Sequence, residues 1–383
     1  MSGLEGVSER AMRIYRDAFV VDMHNDLPSK ILDDRYDPDI RHEPAEGHSD
    51  LPRFVESGIT AQFLSAWVDA KYAQLTPDGS WSRVRGNLDV IHAWIARHPA
   101  ELMLALGASD IRRAKREGKV AMMIGVEGGH AIEGSLEHLR ELHGRGARYL
   151  TLTWNNGNAW AGSSLGAHHT STGGLTDFGA EVIATLEALG MLVDVSHVSD
   201  ETFADVLAVA RGPVIASHSS ARALAPHPRN VTDDQIRAIA RSGGVVNVNF
   251  YSRFLDPAIE REARAQRRRM DVRVAALRRR GATDEIVAVE RKRFASSQAK
   301  VTHDTPLSML IDHIDHVIKI GGVDHAGLGS DFDGVPATPV GMEDITRLPR
   351  IAQALLDRGY GDAEVAKVLG GNMMRVLDGI EPR

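Results

Sequence analysis

The stretch LVDVSHVSDETFADVLAVARGPVIASH, residues 192–218, decides the fold. It opens with the short apolar run LVDVSH, continues through the amphipathic segment SDETFADVLAVARG, and closes with a second apolar run, VIASH. This order predicts a strand, a helix and a second strand, which is the unit that joins neighbouring parallel strands. Both apolar runs end in a histidine, so polar chemistry is expected where each strand ends.

Eight apolar, β-branched runs of this kind recur along the chain, with amphipathic helices between several of them. They are FVVDMH (19–24), ITAQFLSAW (59–67), VAMMIGVE (120–127), YLTLTW (149–154), LVDVSH (192–197), VIASH (214–218), GVVNVNF (244–250) and AGLGSD (326–331). Nearly continuous apolar runs are typical of parallel strands covered on both faces. About eight such units predict a TIM-type (β/α)8 barrel that uses residues 1–383 as one domain. A doubly wound open sheet is the alternative, and the absence of a phosphate-binding glycine fingerprint after any run disfavours it.

Residues 256–300 interrupt the repeat with thirteen Lys and Arg against seven Asp and Glu. We predict one or two exposed helices inserted before the last strand. One interpretation of this basic stripe is a contact with nucleic acid or with an anionic substrate. The interleaved acids favour a solvated insertion at the barrel mouth or a subunit contact instead.

Composition excludes several classes of protein. The 383 residues contain no cysteine, which rules out a thiol nucleophile, a cysteine-type zinc finger and an iron–sulfur cluster. The formal net charge of −7 disfavours a general nucleic-acid binder. No apolar run approaches the roughly 18 residues that span a bilayer. A signal peptide has an apolar core, but residues 1–19, MSGLEGVSERAMRIYRDAF, contain charges at those positions. A cytoplasmic location is therefore expected. An exported form is left open if the chain is part of a longer one.

Residues able to bind metal collect at the carboxyl ends of the predicted strands, which meet on one face of a barrel. These residues are His24, Asp26, Glu127, His197, His218 and Asp331. In an extended chain the side chains of His24 and Asp26 point the same way, and Glu127 has two oxygens with which to bridge two ions. This divides the ligands into a His/Asp/Glu set and a Glu/His/His set. Imidazole with carboxylate suits zinc, closely followed by other first-row divalent ions.

Each of these residues, taken alone, could also be a buried polar residue that binds no metal. A single histidine, for example, is more often hydrogen-bonded in the core than bound to an ion. Six polar side chains at strand ends are costly to bury without partners, and metal ions would supply those partners. His313 and His316 are excluded, since adjacent aspartates suggest a solvated helix face. His168 and His169, in the Gly/Ser/Asn-rich segment 155–174, are candidates for substrate contact at the rim of the site.

Several motifs resemble the renal (membrane) dipeptidase family, a branch of the amidohydrolase superfamily. The resemblance runs from about residue 18 to 377, and no single motif carries it. The motifs are HND (24–26), GVEGGHAI (125–132), VDVSHVSD (193–200), IASHSSARAL (215–224), HPRNVTDD (227–234), GSDFDGV (329–335) and GGNMMRVL (370–377).

This resemblance implies a two-zinc site in which Glu127 is shared by both ions. His24 and Asp26 complete one ligand set, and His197 and His218 complete the other. It also implies that Arg229 binds the substrate, that Asp331 is the catalytic aspartate, and that the chain forms a homodimer. The expected activity is hydrolysis of dipeptides, including those with a D-residue at the C-terminal position, by a hydroxide held between the two ions.

One position departs from the family pattern. Where the family has TLTH, with a histidine that helps to polarise the scissile carbonyl, this chain reads TLTW at 151–154. The indole of Trp154 donates one hydrogen bond and does not titrate near neutral pH. The role then passes to Asn155 or a neighbouring asparagine, or the substrate binds differently. Alternatively, Trp154 packs under the rim.

Two further functions remain open from the sequence. The same barrel and metals also suit an N-acyl amino acid hydrolase or a lactonase, because the fold does not determine the substrate. A non-catalytic barrel that binds a partner through the basic insertion is the alternative outside enzymes. No expected ligand is missing, which argues against it.

Overall fold

Eight parallel strands form a barrel, and a ninth short strand pairs with the start of one of them. The structure is a computed structural model and describes residues 4–75, 78–165, 173–298 and 304–380. The strands are β1 (Val21–Asn25), β2 (Ala61–Trp67), β3 (Leu102–Leu104), β4 (Val120–Glu127), β5 (Ala147–Thr151), β6 (Leu192–Asp194), β7 (Val214–Ile215), β8 (Val246–Asn249) and β9 (Ala326–Gly329). Their order is β7-β6-β5-β4-β2-β1-β9-β8, with β3 paired to β4. A backbone bridge between Ala216 and Val246 joins the two ends of this order, so the sheet closes on itself.

Helices surround the barrel and connect its strands. They are α1 (Glu9–Asp17), α2 (Leu27–Asp34), α3 (Leu51–Ser57), α4 (Tyr72–Leu75), α5 (Gly79–Arg97), α6 (Ala108–Glu117), α7 (Leu136–Gly144), α8 (Asp177–Leu189), α9 (Asp200–Val209), α10 (Asp233–Arg241), α11 (Ser252–Leu255), α12 (Pro257–Arg279), α13 (Asp284–Gln298), α14 (Leu307–Gly321), α15 (Pro349–Asp357), α16 (Asp362–Ala366) and α17 (Asn372–Ile380). Many helix starts are capped by a side chain: Ser199, for example, accepts a hydrogen bond from the backbone N–H of Thr202 at the start of α9. Within the described ranges, no helix is both long and apolar enough to span a bilayer.

The alternation of side chains along β4 places the polar end of this strand inside the barrel. Met122, Ile124 and Val126 pack in the layer between strands and helices. Ala121 and Met123 point the other way and pack with residues such as Phe63 and Tyr149. Because side chains alternate along a strand, Glu127 shares the inner face with Ala121 and Met123. The buried core therefore ends in a buried carboxylate at the carboxyl end of β4.

The barrel prediction is confirmed, since each of the eight predicted runs overlaps a strand of the barrel. The doubly wound alternative is wrong, because the ends of the sheet are joined. The sequence interpretation missed β3, whose three residues pair in parallel with the first three residues of β4. Three residues are too few to show a periodic pattern.

The predicted insertion contains two helices, α12 and α13, that follow β8 and α11. Helix α12 begins at Pro257 after the cap residue Asp256, whose side chain accepts a hydrogen bond from the N–H of Ala258. Most of its residues are exposed, but Glu260 and Met270 are buried. The helix is therefore attached to the barrel near its start. That all 383 residues form one domain stays a prediction.

Candidate metal centre

Glu127 lies at the centre of a cluster of buried side chains at the carboxyl ends of the strands. Its Oε1 is 2.8 Å from Nε2 of His197 and 3.4 Å from Nε2 of His218. Its Oε2 is 3.4 Å from Nε2 of His24, and that nitrogen is 3.5 Å from Oδ2 of Asp26. One carboxylate oxygen thus faces His24 and Asp26, and the other faces the remaining two histidines. The structure brings together all five residues that the sequence predicts as ligands.

Hydrogen bonds outside the cluster set which nitrogen of His218 faces inward. The hydroxyl of Ser217 donates to Oδ2 of Asp194 at 2.5 Å and lies 2.8 Å from Nδ1 of His218. Since that hydroxyl proton is given to Asp194, Nδ1 of His218 carries the proton that Ser217 accepts. Nε2 of His218 then presents a lone pair to Glu127 and His197. This is the arrangement in which an outer carboxylate orients a metal-binding histidine.

The protonation states also suit metal binding. Burial lowers the pKa of His197 to about 3 and holds the pKa of His218 well below its ordinary value, so both rings are neutral. Burial by itself would raise the pKa of Glu127, but the surrounding imidazoles hold it well below the usual range. The cluster therefore combines the neutral imidazoles of His197 and His218 with an ionised carboxylate, which are ligand types of a divalent cation. Burial alone would lower the pKa of His24, but nearby acidic groups, Glu127 and Asp26 among them, hold it well above its ordinary value, so a metal ion that binds to His24 displaces its proton.

Buried polar atoms without partners provide a direct test of whether a metal fits. Nε2 of His24 and Oδ1 of Asp26 are buried, and neither atom has a hydrogen-bond partner among the described residues. Such groups are costly unless something else satisfies them. Nitrogen and oxygen atoms of His24, Glu127 and His218 lie within 4.8 Å of one another, as do those of His24, Asp26 and Asp331. The residues present fit a divalent cation of the zinc type.

Asp331 lies next to this cluster just beyond β9. The side chain of Asn249 donates a hydrogen bond of 2.8 Å to its Oδ2. Burial raises the pKa of Asp331 to about 7, and the neighbouring carboxylates of Asp26 and Glu127 raise it as well. A carboxyl group with this pKa gains and loses a proton readily near neutral pH, which suits a general acid and base.

Two of the site residues have unusual backbone conformations. His197 has a φ of 71° and Asp331 a φ of 62°, in the left-handed region that side chains other than glycine rarely adopt. Each costs about 1–3 kcal/mol, and such residues concentrate at functional sites. His197 lies three residues after the end of β6 and Asp331 two residues after the end of β9, so both left-handed turns occur at the carboxyl end of the barrel.

A cavity of about 760 Å³ opens above the cluster. Arg229, a residue that is 3% exposed, lines this cavity. Its guanidinium donates to the carbonyl of His218 at 3.3 Å and to the hydroxyl of Ser219 at 3.4 Å. Burial lowers the pKa of Arg229 to about 10, so the group stays charged at neutral pH. Within the described part of the chain no carboxylate forms an ion pair with it, and its Nε has no hydrogen-bond partner. The cavity thus presents a buried cation to an anionic group.

The cavity wall also contains the position where the sequence departs from the family pattern. Trp154 and Asn155 both line it, and the ring of Trp154 meets that of Trp67 edge to face at 5.0 Å. The sequence interpretation missed Trp67, whose buried Nε1–H has no partner among the described residues. The signal was present, because Trp67 ends the predicted strand 59–67 just as Glu127 ends 120–127.

Other expectations from the sequence have mixed outcomes. The solvated position expected for His313 is wrong, since this residue is 1% exposed and its ring nitrogens contact Ala221 N and Leu255 O. Nε2 of His316 lies at hydrogen-bond distance, 2.7 Å, from Oδ1 of Asp233. His168 and His169 lie outside the described residues.

A barrel of parallel strands with buried histidines and carboxylates gathered at their carboxyl ends defines a metal-dependent hydrolase of the (β/α)8 class. The profile of the membrane dipeptidase family, peptidase family M19, matches residues 8–382. The chain therefore belongs to the membrane dipeptidase family. The resemblance predicted from the motifs is confirmed, and the chain is a metallo-dipeptidase, a hydrolase of dipeptides.

Several solved structures are similar over almost the whole chain. The probable dipeptidase PvdM from Pseudomonas aeruginosa is 24% identical with a TM-score of 0.84, covering 97% of this chain and 98% of that one. The dipeptidase AC, a metallopeptidase of family M19, is 25% identical with a TM-score of 0.75, covering 94% and 98%. A metallopeptidase from Rhodobacter sphaeroides, bound to a phosphinate mimic of L-Ala-D-Ala, is 24% identical with a TM-score of 0.75, covering 94% and 99%.

Proposed function

We propose that the chain is a zinc dipeptidase that binds two ions per chain at the Glu127 cluster. His24, Asp26 and Glu127 hold one ion, and Glu127, His197 and His218 hold the other. The observation that carries this proposal is the position of Glu127, whose two oxygens each lie within 3.4 Å of an imidazole Nε2. Bound there, the ions supply a Lewis acid for the carbonyl and lower the pKa of a water molecule.

Arg229 binds the C-terminal carboxylate of the substrate. A buried guanidinium that has no carboxylate partner among the described residues is a costly arrangement unless an anion completes it. Its planar donors match a carboxylate in a bidentate manner. This contact places the peptide with its carboxyl end towards Arg229 and its scissile bond towards Glu127.

Asp331 moves the proton during hydrolysis. It accepts the proton of the attacking water at a carboxylate oxygen and passes it to the departing amine. The hydrogen bond from Asn249 holds one of its oxygens, which leaves the other for the proton. The raised pKa of about 7 supports this role, because the group both gains and loses a proton near neutral pH.

The tryptophans of the cavity wall take part in positioning the substrate. With Trp154 in place of the family histidine, the indole N–H of Trp67 and the amide of Asn155 are the donors that we propose for the substrate carbonyl. Both residues line the cavity together with Glu127. The donors do not titrate, so this contact is expected to be independent of pH.

The dipeptides cleaved include those with a D-residue at the C-terminal position. Support comes from the Rhodobacter sphaeroides structure, whose ligand mimics L-Ala-D-Ala. Homodimer formation and a cytoplasmic location stay predictions from the sequence.

Metal analysis and a dipeptide assay on the same sample test the proposal. We expect close to two zinc ions per chain, and hydrolysis of L-Ala-L-Ala and L-Ala-D-Ala that disappears on chelation and returns with zinc. Glu127→Gln is expected to lose both ions together, since it removes the shared charge. Dipeptide hydrolysis that survives complete metal removal, or lactone turnover far above dipeptide turnover, would contradict the proposal.

A further inference from the structure

The inserted helix α12 contributes to the wall of the substrate cavity. Glu260, Arg264 and Arg267 of this helix line the cavity together with Arg253 and Arg229. The insertion is therefore part of the active-site mouth, and its positive charge faces the space in which the substrate binds. The sequence analysis expected an insertion at the barrel mouth, and the start of α12 lies there with its arginines half exposed.

Glu260 gathers three arginines around one buried carboxylate. The Nε atoms of Arg253 and Arg264 lie 2.7 Å from Glu260, and Nη2 of Arg267 lies 2.8 Å from it. The side chain of Glu260 is 4% exposed, whereas those of Arg264 and Arg267 are 49% and 50% exposed. Three guanidinium charges against one carboxylate leave a net charge of about +2 in this wall.

The contacts leave donors for a ligand. A guanidinium carries five N–H donors. Arg264 uses its Nε for Glu260 and one Nη2–H for the carbonyl of Pro226, and Arg267 uses one Nη2–H for Glu260. The cavity-lining carboxylates Asp33 and Asp34 belong to α2, and within the described residues no ion pair joins them to these arginines.

The imidazole ring of His227 lies between Arg229 and the carboxylate of Glu260, which holds the other three arginines. Nδ1 of His227 accepts a hydrogen bond of 3.1 Å from the backbone N–H of Arg229, and its Nε2 is 3.7 Å from Oε2 of Glu260. Burial lowers the pKa of His227 to about 3, so this ring adds no charge at neutral pH. A substrate held by Arg229 through one carboxylate thus has a second cationic position beside it.

We propose that Arg264 and Arg267, held in place by Glu260, bind a second carboxylate of the substrate, so that the enzyme prefers dipeptides whose C-terminal residue is aspartate or glutamate. The inference rests on the proposed function, in which Arg229 binds the main-chain carboxylate. Charge-assisted hydrogen bonds to a carboxylate are about twice as strong as neutral ones, which gives the acid an advantage over its amide.

Matched dipeptides test the proposal. The zinc-loaded enzyme is assayed with L-Ala-L-Glu against L-Ala-L-Gln and with L-Ala-D-Glu against L-Ala-D-Gln, so that only the side-chain charge differs within a pair. We expect kcat/KM to be at least about tenfold higher for the acid, mainly through KM, a ratio that corresponds to 1.4 kcal/mol. The ratio should fall as salt is raised from 0.05 to 0.5 M, because the arginines are half exposed.

Variants assign the effect to the cluster. The double variant Arg264→Gln/Arg267→Gln should reduce the acid-to-amide ratio to within about twofold of unity, whereas Arg268→Gln, at an exposed position of the same helix outside the cavity wall, should keep the wild-type ratio. Thermal unfolding of each variant checks that it folds. The salt dependence of the acid-to-amide ratio in the wild type tests the role of charge without any substitution.

The possible failures are distinguishable. Efficient cleavage of both members of a pair with a ratio near one, or a ratio that the double variant keeps, overturns this inference and leaves the dipeptidase proposal intact. Absence of cleavage of any dipeptide by zinc-loaded enzyme overturns the proposed function itself.

Discussion

The phenol oxygen of Tyr149 lies 2.9 Å from Nδ1 of His24, deep in the barrel. The same hydroxyl donates to the carbonyl of Met23 at 3.2 Å, so it accepts the proton of Nδ1. Nδ1 of His24 is thereby fixed as a donor, and Nε2 is directed at Asp26 and Glu127. A residue of the barrel interior thus prepares a ligand of the proposed metal site.

Replacing Tyr149 with phenylalanine should weaken metal binding while the fold survives. Loss of an outer partner of a metal-binding histidine typically costs about 10- to 100-fold in metal affinity. Competition with a chromophoric chelator measures this, and Tyr360→Phe, remote from the cavity, is the control. Unchanged zinc affinity in Tyr149→Phe would show that His24 needs no such partner.

The ring of Tyr149 requires a glycine opposite it. A Cβ at Gly125 would lie 1.9 Å from Cζ of Tyr149, whereas a Cβ at Gly144, in α7, would meet nothing within 4 Å. Gly125→Ala should therefore destabilise the protein by about 1–3 kcal/mol through overpacking. Gly144→Ala should be neutral or stabilising by up to about 1 kcal/mol. Urea unfolding compares the two, and equal stability would contradict the packing at Gly125.

Asp331→Asn should keep the metal and lose turnover. The amide preserves the shape of the side chain but cannot accept and return a proton, so kcat should fall by at least about 100-fold. Zinc content is measured on the sample used for kinetics. Full activity would remove Asp331 from catalysis. Loss of zinc would instead identify it as a ligand, since its oxygen lies within 4.8 Å of ligand atoms of His24 and Asp26.

Arg229→Gln should raise KM for dipeptides with a free carboxylate. Hydrogen bonds to a charged group contribute about 1.5–3 kcal/mol, so the expected increase is roughly 10- to 100-fold. Dipeptide amides, which lack the carboxylate, should be affected much less. An equal loss for free and amidated substrates would mean that Arg229 supports the site structurally instead of binding the carboxylate.

His313 should make stability depend on pH in the acid range. Its Nδ1 accepts the N–H of Ala221 at 3.0 Å, and burial lowers its pKa to about 4. The unfolded chain, with an ordinary histidine pKa near 6.5, binds this proton first, so stability falls as pH drops from about 6.5 to 4, by up to about 3 kcal/mol. Urea titrations of wild type and His313→Gln, which does not titrate, isolate the effect. If the difference in unfolding free energy between wild type and His313→Gln does not change with pH, the lowered pKa of His313 is contradicted.

The sequence predicted the barrel because each strand is encoded locally. Runs such as VAMMIGVE at 120–127 are apolar up to the final glutamate, and the structure has β4 with those same bounds. The weaker strands were harder to delimit: VIASH at 214–218 contains only two residues of regular strand. Its last residues turn out of the sheet to position Ser217 and His218, where side-chain hydrogen bonds replace the backbone ladder.

The sequence by itself determined the eight strands of the barrel and the identity of the polar residues that end them, because periodicity and residue type are local properties. Which groups meet was decided by the tertiary structure. Tyr149 against His24, Trp67 beside Trp154, and Glu260 with its arginines join residues from different strands and an inserted helix. These contacts depend on barrel closure, on left-handed turns at His197 and Asp331, and on burial, none of which is a property of a single segment.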